Sequence, residues 1–420
     1  MKLGLSGALA LLLATACGND DAGDANDAGG ASDASVATGD AADRLDASSA
    51  NPVEGGSAVD ASADARSGPS GSLVAYVGGY SGTIDRYAVD EASGALGFAA
   101  RTPSFGTSPS FLAITSGSTF LYAVDENDEG QVGAYSVAAT TGALTFLGAV
   151  SSGGSGPAYV GLDRSDAFVF VANYTSGTTE VLPIQPDGSL GPPTDTRAPG
   201  ELAHMMIADP TNHFVFVPCK GSDYVAQFLF DATTGTLAAN PKAATFPTAK
   251  GAGPRHLAFH PDGKHVYLVN ESASTLQELT LDPTDGTLTS VQTISSLGAA
   301  SDGADAGGNT AAEIWVHPSG AWLLASNRGD DSLVVFALDP GSGAMSFRSR
   351  IHSGGATPRD FAVAPSPGAF VYAANQAGGN VVPFDFDVSS GALTPFAGQD
   401  AGAVAFSMPS FVGLVRLRGE

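Results

Sequence analysis

One phrase recurs seven times along the 420-residue chain: a turn or acidic residue, then glycine, a small residue and an aliphatic one. It reads Asp90-Glu-Ala-Ser-Gly-Ala-Leu96, Thr140-Thr-Gly-Ala-Leu144, Pro186-Asp-Gly-Ser-Leu190 and Asp231-Ala-Thr-Thr-Gly-Thr-Leu237. It continues as Asp282-Pro-Thr-Asp-Gly-Thr-Leu288, Asp339-Pro-Gly-Ser-Gly-Ala-Met345 and Asp387-Val-Ser-Ser-Gly-Ala-Leu393. Its glycines, Gly94, Gly142, Gly188, Gly235, Gly286, Gly343 and Gly391, lie 48, 46, 47, 51, 57 and 48 residues apart. A period in this range means a repeat architecture, in which each unit buries its apolar face against its neighbours.

Each repeat holds four short strand candidates, and the fifth reads most clearly. Arg255–His260 is followed by a Pro261-Asp-Gly turn and His265–Val269; Ser274–Leu281, the repeated Asp-Gly turn and Thr287–Gln292 complete it. Four antiparallel strands per unit of about 40–50 residues make a propeller blade. The predicted fold is therefore all-β, a seven-bladed β-propeller whose strands A to D run from the channel outward. The first unit opens on a B-type strand, Leu73–Gly78, with no A strand before it. Pro409-Ser-Phe-Val-Gly-Leu-Val415 matches the A-type Pro109-Ser-Phe-Leu-Ala-Ile-Thr115. Pairing that last strand into the first blade closes the ring and removes two exposed sheet edges.

Residues 1–17 have a different character. Lys2, the apolar run Leu3–Ala16 and the small residues Ala14-Thr15-Ala16 before Cys17 form a signal peptide. The cysteine in that position resembles a bacterial lipobox, which implies a lipid anchor on Cys17 and a cell-envelope lipoprotein, at the outer membrane, in the periplasm or on the cell surface. Residues 18–72 are mostly Ala, Asp, Gly and Ser, with no aromatic residue and 11 acids against Arg44 and Arg66. Such a tract buries too little apolar area to offset its ordering entropy, so a disordered acidic spacer is expected, with the propeller at 73–420. The formal charge of −25 with 18 Lys and Arg argues against nucleic acid as a partner. With two cysteines, Cys17 and Cys219, and no His/Asp/Glu cluster of ligand spacing, neither a metal nor another cofactor is expected. Cys219 reads as an inert, partly buried thiol. A monomer is expected.

In a propeller, the D-to-A and B-to-C loops share one face, where the variable and charged positions gather. Superposing the B-strand ends aligns Tyr80, Glu126, Tyr174, Lys220, Glu271, Arg328 and Gln376, with Asn173, Asn270, Asn327 and Asn375 one residue earlier. Superposing the A-strand starts aligns Ser110, Ala158, His204, Arg255, Ala312, Arg359 and Ser410. His204, Arg255, Glu271, Arg328 and Arg359 thus fall in one wedge, blades four to seven. Arginine forks pair with carboxylate or phosphate in two-point contacts, while histidine and glutamate can move protons. The alternative is structural: Arg and Asn at strand ends also tie loops together, and Arg359 beside Asp360 can form an internal ion pair. His256, His260 and His317 read as structural histidines. The 57-residue spacing marks an insertion over Leu297–Thr310, expected to be a flexible loop on the same face.

Several phrases together, Tyr76-Val-Gly-Gly-Tyr80, Gly253-Pro-Arg-His256, Phe259-His-Pro261, Asn270-Glu271, Ser326-Asn-Arg-Gly329 and Thr357-Pro-Arg-Asp360, resemble the seven-bladed lactonase propellers. That family includes bacterial 6-phosphogluconolactonase and the fungal carboxy-muconate lactonizing enzyme. The resemblance covers Leu73 to Arg418 and implies a lactone-handling site whose His, Arg, Glu and Arg fall on His204, Arg255, Glu271 and Arg328. Cys219 departs from an acidic residue common in the family, and the export signal departs from a cytoplasmic phosphogluconolactone substrate.

The resulting expectation is a lactonase, a carboxylic-ester hydrolase that opens a small anionic sugar-acid lactone. His204, Arg255, Glu271 and Arg328 are its expected catalytic residues, with Arg255 and Arg328 on the substrate and Glu271 as general base. His204 would position the substrate or protonate the leaving oxygen. Asn270, Asn327, Arg359, Gln376 and Glu126 are expected to bind substrate. Two other readings compete: a non-catalytic, surface-anchored propeller that binds an anionic carbohydrate or protein, and a muconate-type cycloisomerase.

Overall fold

A computed structural model describes residues 71–298, 308–365, 367–396 and 402–419, which contain strands and turns and no helix. Residues 1–70, including Cys17 and nearly all of the spacer, lie outside the described residues, as do 299–307 of the blade-six insertion. The strands form seven antiparallel sheets, the blades of one ring. Blade five runs from the channel outward as Pro254–Phe259, His265–Asn270, Thr275–Leu281 and Leu288–Ser295. Its outer strand extends three residues beyond the Thr287–Gln292 expectation. In blades four and seven the outer strand is broken in two, as Thr236–Ala239 with Thr245–Pro247 and as Ala392–Pro395 with Val404–Ala405.

Burial explains why the second strands read as unbroken apolar runs. Each is packed between two neighbouring blades, so both of its faces are covered. In Phe214–Cys219 all six residues are buried. The outer strand Leu96–Pro103 buries Leu96 alone and turns its remaining residues partly or fully to solvent. Beta-branched and aromatic residues suit such doubly covered, pleated surfaces.

The repeated glycines join one blade to the next. All seven have φ between +68° and +86°, the left-handed region that side chains disfavour. Each also leaves no room for a Cβ, which would fall 2.1–2.8 Å from a side-chain atom of the preceding blade. The contacted residues are Phe370, Tyr76, Phe120, Phe168, Phe214, His265 and Trp322, in the order of the glycines. Four buried tyrosines add a hydrogen bond across the same joint. Tyr76, Tyr122, Tyr267 and Tyr372 donate to the carbonyls of Gly142, Gly188, Gly343 and Gly94, at 2.5, 3.1, 2.7 and 2.9 Å.

The ring closes as the repeat pattern requires. Pro409–Arg416 pairs antiparallel with Leu73–Gly79, so the C-terminal strand is the innermost of blade one. Aromatic side chains of blades one, two, three and five meet around Phe111. Phe111 lies with its ring centroid 4.8 Å from both Tyr159 and Phe411 and 5.9 Å from His256.

Candidate active site

The inner strands of blades three, five, six and seven each carry a β-bulge near their start. The register slips between Pro157 and Tyr159, Pro254 and His256, Ala311 and Ile314, and Pro358 and Asp360. The residues skipped are Ala158, Arg255, Ala312 with Glu313, and Arg359. A bulge releases a residue from the ladder and re-aims its side chain. These are the inner-strand positions that superposing the repeats aligned. Two positions before three of the bulges the chain turns left-handed, at Gly156, Gly253 and Thr357, with φ of 61°, 65° and 60°. A β-branched residue is rare in that region; the Thr357 amide is held by a 2.7 Å hydrogen bond to Asp331 Oδ1.

The ends of the second strands touch one another around the ring. Glu271 stands at the centre of a cationic cluster: Lys220 Nζ lies 2.7 Å from its Oε1, and Arg328 and Arg255 reach its Oε2 at 3.0 and 3.3 Å. Tyr174 extends the arc, its hydroxyl 3.2 Å from Lys220 Nζ. On the other side Tyr80 donates to Glu126 at 2.7 Å, and Arg359 lies 4.0 Å from Glu126 with its guanidinium 5.8 Å from the Tyr80 ring centre. Among the described residues Arg359 forms no ion pair with Asp360. The neighbouring-residue pair considered from sequence is therefore replaced by a contact across blades. Asp360 instead accepts the Val412 amide at 2.7 Å, and burial, reinforced by Glu313, raises its carboxyl well above the usual range.

The three cations around Glu271 are not equivalent. The Arg255 side chain is 3% exposed, whereas those of Arg328 and Lys220 are 15% and 20% exposed. Arg255 also donates to the Ala312 carbonyl and lies 3.5 Å from Glu313. Its guanidinium is thus committed to the protein, while Arg328 and Lys220 remain accessible. Burial pushes the Glu271 carboxyl up, but Arg255, Arg328 and Lys220 outweigh it and hold it at about 2. A carboxylate so well stabilised is a poor proton acceptor at neutral pH.

His204 lies next to this cluster and is 4% exposed. Its Nδ1 is 3.1 Å from His256 Nε2, and Tyr174 stacks edge-on at 5.4 Å between ring centres. His256 is completed by Glu313, whose carboxylate lies 2.8 Å from its Nδ1. Burial, and then the nearby positive charge of Arg255, keeps His204 neutral well below the usual histidine range.

The other residues expected to bind substrate are dispersed. Asn327 is fully buried and spends its amide on Ser296 and Asn309, at 2.6–3.1 Å. Asn270 donates to Thr275 at 3.1 Å and leaves its carbonyl oxygen without a partner among the described residues. Gln376 lines an open groove of about 770 Å³ between blades seven and one, with Arg101, Phe406 and Met408, away from the Glu271 cluster. The superposed positions included Lys220 and Tyr174 without marking them as functional, although their register with Glu271 and Arg328 was the available signal. His256, classed as structural, and Glu313 became visible only through the bulges. Cys219 is fully buried, and burial pushes its thiol up to about 12.

A seven-bladed propeller with a preorganised cluster of cations and a neutral histidine at one channel mouth defines the class of protein. The chain belongs to the family described as Lactonase, 7-bladed beta-propeller, which matches residues 74–407. It is 33% identical to the 6-phosphogluconolactonase of Bacillus subtilis over 267 residues, 61% of this chain and 74% of that one. It is 35% identical to the Pectobacterium carotovorum 6-phosphogluconolactonase over 180 residues, 42% of this chain and about half (52%) of that relative. The structure of a periplasmic gluconolactonase from Pseudomonas aeruginosa is similar at a TM-score of 0.73 and 28% identity, covering 82% of this chain and all of that one.

Proposed function

We propose that the chain is a lactone hydrolase that opens a sugar-acid lactone at the mouth of the propeller channel. One observation carries this reading: Glu271 fixes Lys220 and Arg328 in place while leaving both partly accessible beside His204. Two partly buried cations preorganised by one carboxylate stabilise negative charge that develops on a lactone carbonyl oxygen, with no reorganisation at the moment of attack. Arg255 supports Glu271 from beneath. Arg359, facing Glu126 and Tyr80 across the mouth, is placed to take a remote hydroxyl or anionic group of the substrate.

Residues 1–17 support export, with Cys17 as the anchoring residue, and an exported enzyme meets unphosphorylated lactones more readily than phosphorylated ones. The similarity to a gluconolactonase described as periplasmic agrees with that choice. The test is acid release at constant pH from glucono-1,5-lactone and from its 6-phosphate, measured against spontaneous hydrolysis. Saturable acceleration with the first substrate supports the proposal. Saturable binding without acid release would make the protein a binding propeller, and conversion of a muconate alone would make it a cycloisomerase.

A further inference from the structure

Beneath the cationic cluster lies a second set of ionisable groups, two of which, Glu313 and His256, have no part in the proposed reaction so far. Glu313, His256 and His204 form a chain of contacts. Glu313 Oε2 lies 2.8 Å from His256 Nδ1, and His256 Nε2 lies 3.1 Å from His204 Nδ1. All three residues are buried, with 5%, 1% and 4% of their surface exposed. His256 is further enclosed by the rings of Phe111 and Tyr159, at 5.9 and 5.7 Å.

With Glu313 ionised and His256 neutral, the hydrogen bonds in this chain can run in one direction only. An ionised carboxylate can only accept, so His256 Nδ1 donates to Glu313. A neutral imidazole with its proton on Nδ1 has a bare Nε2, which can only accept. His204 must therefore donate from Nδ1, which leaves His204 Nε2 without a proton and, among the described residues, without a hydrogen-bond partner. Burial lowers His256, and the balance of its charged neighbours Glu313, Arg255 and Arg359 leaves it below its ordinary value; burial raises the Glu313 carboxyl, but the hydrogen bond from His256 and the charge of Arg255 bring it below the ordinary carboxylate value. The groups that act on His204 are Arg255, His256, Arg359 and Arg328, all of which disfavour a second proton on its ring.

We infer that Glu313 and His256 are positioning residues which hold His204 as its Nδ1–H tautomer, so that Nε2 accepts the proton of the attacking water. The consequence for catalysis rests on the lactonase reading above; the tautomer does not. In the step itself, water oxygen bonds to the lactone carbonyl carbon, its proton passes to His204 Nε2, and the carbonyl electron pair moves onto oxygen beside Lys220 and Arg328. On collapse the ring C–O bond breaks, and the leaving alkoxide takes the proton back from Nε2. The imidazolium formed in between is stabilised through His256 by the Glu313 carboxylate, the arrangement that a buried carboxylate provides for a histidine base.

The tautomer can be read without any substrate. In ¹⁵N-histidine-labelled protein at pH 7.5, long-range ¹⁵N–¹H correlation spectra, assigned by the loss of signals in His204→Gln and His256→Gln, should show both rings protonated on Nδ1 and bare on Nε2. Finding His204 protonated on Nε2, or as imidazolium, would overturn the inference whatever the activity. For the reaction, Glu313→Gln should lower kcat on glucono-1,5-lactone by at least about tenfold, leave KM within about threefold and move the acid limb of the pH–rate profile to lower pH. Glu313→Asp should restore part of kcat. An unchanged kcat and acid limb in Glu313→Gln would refute the positioning role even with the tautomer as inferred. A wild type inactive on every lactone tested would count against the lactonase reading, with the spectra still deciding the tautomer.

Discussion

At the scale of single residues, the site is a balance between burial and charge. Glu271 has a carboxyl at about 2 rather than the ordinary 4.5, because three cations overcome the cost of burying it. A depressed carboxylate contributes stability above its unfolded value, and that contribution disappears as the pH falls towards the folded one. The shift corresponds to roughly 3 kcal/mol. His204 and His256 act in the same direction at higher pH: neutral when folded, they take up protons on unfolding below the ordinary 6.5. In urea unfolding, Glu271→Gln should be less stable than wild type at pH 7, with the gap shrinking between about pH 4.5 and 3 while the loss below pH 6.5 persists in both. A gap that stays constant down to pH 3 would mean the cluster is not coupled to folding. Much of this site was legible beforehand, because the repeats superpose on a ring and any residue at a strand end has a known address. Glu271, Arg328, Arg255 and His204 were found in that way. His256 and Glu313 were not, because strict alternation along a strand points them away from their neighbours, and only the bulges at Arg255 and Ala312–Glu313 bring them into the channel.

At the scale of elements, the recurring Gly phrase has two physical requirements superimposed. One is a left-handed backbone, which costs a side chain about 1–2 kcal/mol; the other is contact with the preceding blade. Two glycines of similar φ separate these terms. Gly235 (φ +69°) would place a Cβ 2.2 Å from the Phe168 ring, whereas Gly263 (φ +70°) has nothing within 4 Å. Gly263→Ala should cost the backbone term alone, about 1 kcal/mol, and Gly235→Ala at least about 2 kcal/mol more, because two packed blades must separate. Equal losses in chemical denaturation would mean that the turns are not inter-blade joints. The blade order and the closing strand were readable because they follow from periodicity and strand count. The broken outer strands of blades four and seven were not, since an exposed edge is specified by little packing and its sequence constrains it weakly.

At the scale of the whole molecule, the acidic charge is divided between a spacer of 11 acids against two arginines and a propeller that is itself acidic. Against that background Lys220, Arg255 and Arg328 around one carboxylate form a local positive site. A negative shell repels anions at long range, so the rate at low concentration of the lactone 6-phosphate should rise as salt screens the shell, while that of uncharged glucono-1,5-lactone should not. The first residues bear on location. In the native host, Cys17→Ala should abolish labelling by a radiolabelled fatty acid and release the protein from the membrane fraction, and equal membrane association in the variant would remove the case for an anchor at that residue.

The central claim is that one wedge of the ring performs chemistry on a lactone. Its most direct test is the initial rate of acid release from glucono-1,5-lactone by wild type, Arg328→Ala and Arg348→Ala at pH 7 and fixed ionic strength. Arg348 is an exposed arginine on the outer strand of blade six, bonded to the Ser390 carbonyl at 2.7 Å. Saturable catalysis in wild type, a fall of about 100-fold or more in kcat/KM for Arg328→Ala and a rate within about twofold of wild type for Arg348→Ala are the results this account predicts. Equal rates in all three proteins, or no acceleration by wild type, would contradict it.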